Sequence, residues 1–202
     1  MFIQALLNGA VQVILFAFLP LVVWMISARK KEKFFSWIGI KKPAVEDRKK
    51  WWLSMLVIFA VCLASGELAV FIRGPMETAD SAYMGLGAAA IPSIFAYAFI
   101  QTGLSEEIIF RGFLVKRLAA IFGFAKANAV QAAMFGVIHL LMVFGLGGQV
   151  SFLAGLVIVV YPVIPAALFA YADEKLSGGS ILPGWFIHGA LNAVTGIMAA
   201  FA

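Results

Sequence analysis

Charge is scarce in this 202-residue chain. Lysine, arginine, aspartate and glutamate make up only 12% of it, and 63% is hydrophobic. A soluble domain carries about twice that share of charge. With a mean hydropathy of +1.01, the composition excludes a water-soluble domain and leaves one integral membrane domain, residues 1–202. There is one cysteine, Cys62, so no disulfide framework can form. There are two histidines, His139 and His188. The chain has no HExxH, GxSxG or P-loop pattern, and no serine or cysteine sits in a nucleophile constellation. A water nucleophile is therefore favoured over a covalent one. No internal repeat or low-complexity tract interrupts the chain.

What is present is a series of apolar stretches of about 20 residues, the length of a membrane-crossing helix and too continuous for the alternation of barrel strands. The expected fold is an all-α polytopic bundle of about six spans. These are predicted at 3–26, 51–72, 83–104, 124–144, 152–171 and 181–202. Between the third and fourth, residues 105–123 (SEEIIFRGFLVKRLAAIFG) read as a separate helix, charged and either buried in protein or interfacial. Pro20 is a kink candidate in the first span. The loop at 145–151 (GLGGQVS) reads as flexible.

The charges are unevenly placed. Residues 27–50 hold nine basic and three acidic residues, a net +6, and the rest of the chain nets −1. Lying between two spans, this loop reads as cytoplasmic by the positive-inside rule and as a contact for anionic lipid rather than nucleic acid. Within it, Phe34–Ile40 (FFSWIGI) reads as an interfacial segment. The N-terminal charges follow the first apolar run, which argues against a cleaved signal peptide and for an outside N-terminus. Glu106 and His188 then share the cytoplasmic half of the bilayer. Glu67, in the outer part of the second span, is read as snorkelling to the interface.

Ionisable groups in membrane segments are functional candidates by default. In EEIIFR, Glu107 and Arg111 stand i, i+4 with the acid first, the better orientation for an ion pair. That pairing leaves Glu106 free to face a cavity as a general base or acid. In FGVIH, Phe135 lies one turn before His139 and can wall the site. In HGALN, His188 and Asn192 share a helix face and offer two donors to a developing oxyanion. Each motif alone is equally explained by an ordinary helix end or an interhelical hydrogen bond. Together they contain both histidines and the chain's only pair of adjacent glutamates.

EEIIFR, FGVIH and HGALN, in this order, resemble the EExxxR, FxxxH and HxxxN/B motifs of the CPBP intramembrane protease family, also known as the type II CAAX prenyl endopeptidase or ABI family. The resemblance covers about 104–195. It implies an endopeptidase in which Glu106, helped by His139, activates water. His188 and Asn192 would then stabilise the tetrahedral oxyanion, while Glu107, Arg111 and Phe135 support the site. Membrane-anchored proteins, prenylated CAAX proteins among them, are the implied substrates, and a bacterial inner membrane the implied setting. Other members of this size are linked to bacteriocin immunity, so a non-proteolytic immunity or transport role is the alternative. On cofactors, the role assignment favours metal-free chemistry. A zinc site made by Glu106, His139 and His188, with water in the fourth position, is the alternative.

Overall fold

The computed structural model describes residues 1–74, 76–145 and 150–202, and among these every regular element is helical. α1 (Phe2–Ser27) leads into a short helix, α2 (Phe34–Trp37), and then α3 (Arg48–Arg73). Single turns at Ala79–Tyr83 and from Gly87 lead into α4, a continuous helical run Gly87–Phe122. α5 (Phe124–Gly145) is followed by α6 (Phe152–Val160) and α7 (Val163–Leu176), stacked end to end, and by α8 (Leu182–Phe201). Six stretches are long and apolar enough to cross a membrane, with α6 and α7 together making one of them.

The boundaries follow local chemistry. Asp47 caps α3, its Oδ1 accepting from the backbone of Lys49 at 2.9 Å and Lys50 at 3.1 Å. Gly123, at φ +78°, makes the left-handed turn that separates α4 from α5. Pro183 sits in the first turn of α8, where its missing N–H costs nothing. α1 carries Pro20 internally and remains one helix. The 145–151 loop falls largely outside the described residues.

Two expectations are corrected. Residues 105–123 do not form a helix of their own but continue the third span. Charge alone does not end a helix when the charges are buried with partners, and Ser105 binds back to the Gln101 carbonyl at 2.5 Å, within the helix. The run is not a regular α-helix. Ala96–Leu104 and Ile108–Val115 are π-helical, with Ser105–Glu107 between them. Such wide turns re-aim side chains and concentrate at functional sites.

The second correction concerns Phe34–Ile40, whose Trp37–Gly39 stretch is packed into the fold while Phe35 stays exposed. Trp37 and Ile38 are buried with Ile108 and Ile181. Gly112 makes this approach possible, since a Cβ there would stand 2.7 Å from the Ile38 carbonyl. Asp173, Glu174 and Lys175, just past the fifth predicted span, complete the last turn of α7.

Candidate active site

The buried polar groups gather where α4, α5, α7 and α8 meet. Arg111, an internal residue of the second π stretch, is fully buried. Its Nε lies 3.3 Å from Oε2 of Glu107, which is equally buried, so the expected ion pair forms. The guanidinium lies 4.8 Å from the ring of Phe135, 5.4 Å from Phe169 and 5.9 Å from Phe110. Three aromatic faces and one carboxylate thus compensate a cation shut away from water. Phe135 therefore backs Arg111 as well as walling the site.

Glu107 does more than the sequence indicates. Its Oε1 accepts from Nδ1 of His188 at 2.9 Å. A carboxylate paired with Arg111 is the acceptor here, so His188 Nδ1 carries a proton. Nε2 then points to Glu106, whose Oε2 is 3.8 Å away. The two adjacent glutamates consequently address opposite nitrogens of one imidazole. Phe169 lies against that ring at 5.4 Å.

His139 is held by its own helix. Its Nδ1 donates to the Phe135 carbonyl at 2.7 Å. A carbonyl can only accept, so Nε2 is left with a free lone pair. Asn192, one turn beyond His188, donates through Nδ2 to Thr102 Oγ1 at 2.8 Å. Thr102 lies on the first π stretch, where its hydroxyl is 3.2 Å from the carbonyls of both Tyr97 and Ala98.

Glu106, His139, His188 and Asn192 all line one cavity of about 310 Å³, together with Thr102, Phe135 and Phe169. Four residues singled out in the sequence thus share a single space, and Glu107 and Arg111 stand directly behind it. The cavity also reaches Arg73, Thr78 and Asp80 at the far end of α3. There burial holds the Asp80 carboxyl above its ordinary range, opposed by the Thr195 hydroxyl and the Arg73 guanidinium.

Three participants escaped the sequence reading. Thr102 and Phe169 carry no signal in an apolar run. Asp173 lies outside every predicted span. It is fully buried and accepts from the Gly184 backbone N–H at 2.8 Å, in the first turn of the helix that carries His188. Gly184 has no room for a side chain, because a Cβ would lie 2.6 Å from the Asp173 carboxylate.

Removing the buried cation is costly. Arg111→Ala leaves Glu107 as a buried carboxylate without its counter-ion and opens a space between three rings. The expected loss is about 3–5 kcal/mol of stability, read as a lowered midpoint of thermal unfolding in detergent, with activity reduced alongside. Unchanged stability and full activity would show that the pair contributes nothing.

The helical membrane bundle thus brings carboxylates and imidazoles, the groups that acid–base chemistry uses, to one internal cavity. The family model described as Type II CAAX prenyl endopeptidase Rce1-like matches residues 88–194, just over half of the chain, and the chain belongs to that family. No curated protein and no solved structure matches it.

Proposed function

We propose that this protein is an intramembrane endopeptidase that hydrolyses peptide bonds of membrane-anchored proteins with a water activated by Glu106 and His139. The observation that carries this reading is the shared cavity. Glu106, His139, His188 and Asn192 come from three different helices and line the same space. Glu106 takes a proton from water as the new C–O bond forms at the scissile carbonyl. The unprotonated Nε2 of His139 accepts from that water and orients it. Asn192 donates to the oxygen on which negative charge develops, and so does His188 through a protonated Nε2. Collapse breaks the C–N bond, and Glu106 returns its proton to the leaving amine. Glu107 and Arg111 touch no reacting atom. They fix the orientation of His188.

A zinc ion suits these residues poorly. Among the described residues no three histidine, cysteine, aspartate or glutamate side chains gather closely enough to hold one. We therefore assign no step to a metal. Treating the purified enzyme with 1,10-phenanthroline is expected to leave its activity unchanged. Inactivation that added zinc reverses would overturn the metal-free mechanism.

The setting we propose is an inner-type bacterial membrane with residues 27–50 on the cytoplasmic side against anionic headgroups. Prenylated CAAX proteins are the first substrates to try, on the strength of the family's name. The test is a comparison of membrane-protein termini in cells with and without the chain. New termini that appear only with it establish proteolysis and identify the substrates. Identical termini, with the protein folded in the membrane, would favour the immunity or transport role.

A further inference from the structure

One permanent cation lines the catalytic cavity. Arg73, the last residue of α3, is the only lysine or arginine among the described lining residues, and it is part-buried there. Among the described residues its guanidinium makes no ion pair within 4.0 Å. Its Nη1 donates to the Gly74 carbonyl at 3.2 Å, an ordinary contact for an arginine at a helix C-terminus, and its other donors stay open. Asp80 faces both this guanidinium and the Thr195 hydroxyl. It packs on α8, where a Cβ at Gly196 would stand 3.6 Å from its Oδ1. Burial holds the Asp80 carboxyl toward its neutral form, so it neutralises Arg73 weakly. An arginine with open donors in a poorly solvated cavity is a receptor for an anion, and for a carboxylate above all. Arg73 and Asp80 both lie outside 88–194, the residues that the family model matches.

The span of the cavity indicates which anion that is. His188 and Thr195 stand i, i+7 on α8 and both line it. At the rise of an α-helix they are about 10 Å apart along the axis. An extended chain covers about 10 Å in three residues. Val70, Val157, Ile158 and Leu191 give the wall apolar surface, which suits aliphatic side chains. We propose that Arg73 binds the free α-carboxylate at the substrate's C-terminus, about three residues beyond the bond held at Glu106 and His188. The inference rests on the protease reading and deepens it. It makes Arg73 a specificity-determining residue that selects a free C-terminus over an internal segment. Three residues follow the cysteine of a CAAX tail, so such a tail fits with its cysteine beside the scissile bond. α8 starts next to the basic segment, where the Ile181 N–H donates to the Gly39 carbonyl at 2.9 Å. A C-terminus running from His188 toward Thr195 therefore leads inward from the cytoplasmic side proposed above, and the anchored part of the substrate stays on that side.

The experiment compares one prenylated CAAX peptide as its free acid and as its C-terminal carboxamide, which differ only in the charge that Arg73 would bind. The wild type should favour the acid by about 10- to 100-fold in kcat/KM, the usual worth of hydrogen bonds to a charged group. In Arg73→Gln that ratio should fall to near one, through a raised KM for the acid. Arg73→Lys keeps the charge but loses the planar fork. It should give an intermediate ratio, and it serves where Arg73→Gln does not fold. Glu77→Gln, at the same end but outside the cavity lining, should keep the wild-type ratio. A merely structural arginine would lower both peptides alike and leave the ratio intact. That result, or a wild type indifferent to the carboxamide, would overturn the proposal while proteolysis stands. Binding separates the two readings in the other direction. Glu106→Gln protein should bind the acid over the carboxamide, measured by displacement of a fluorescent peptide acid, and should lose that preference when Arg73→Gln is added. This outcome with no cleavage by the wild type would refute the protease reading and leave the carboxylate site in place.

Discussion

Glu106→Gln is expected to fold, enter the membrane and lose cleavage by about 10²- to 10⁴-fold, the usual contribution of a general base. The substitution keeps the size and hydrogen-bonding capacity of the side chain and removes only its ability to take a proton from water. Stability should change little, because Glu106 is not part of the buried ion pair. That pair belongs to Glu107 and Arg111. The defect should fall on kcat, with KM nearly unchanged, since the missing interaction matters at the transition state. The measurement is a steady-state comparison on one fluorogenic peptide substrate in detergent or nanodiscs, beside a thermal melt. Cleavage within a few-fold of wild type would remove Glu106 from the mechanism and direct attention to Glu107.

His188→Ala should be nearly as damaging, lowering kcat by about 10²- to 10³-fold, as the loss of one oxyanion donor does elsewhere. The geometry allows a sharper test than the single variant. Glu107 reaches the chemistry only through the His188 Nδ1 bond of 2.9 Å. Glu107→Gln should therefore reduce activity on its own, yet add little once His188 is already alanine. Groups acting as one unit are not additive, and a double-mutant cycle measures this directly. Fully additive losses would mean that Glu107 has a role apart from orienting the imidazole. Glu107 still has Arg111 at 3.3 Å in His188→Ala, so that variant should retain its fold better than Arg111→Ala does.

The helices and the motif residues were legible because both depend on local properties. An apolar run of membrane length must be a helix, since its backbone can find hydrogen-bond partners in no other open form. The i, i+4 spacing of Glu107 and Arg111 likewise survives into the structure as a contact. The separate helix expected at 105–123 failed for a non-local reason. Buried acids and an arginine suggest a boundary only to a reader who cannot see Phe135, Phe169 and His188 arriving from other helices to compensate them. Asp173 was passed over in the same way. Its place under α8 depends on the bare Cα of Gly184, eleven residues further on and on another helix.

By itself, the sequence determined that the protein is a helical membrane bundle, which end of it is basic, and which few side chains are worth the cost of burial. These follow from composition and spacing along one helix at a time. Tertiary structure alone decided that the two glutamates take opposite nitrogens of His188, that Asn192 leans on Thr102, and that Ile38 is buried with Ile108 and Ile181. Each of these depends on the distance between groups far apart in the chain, and the packing of helices against one another sets that distance.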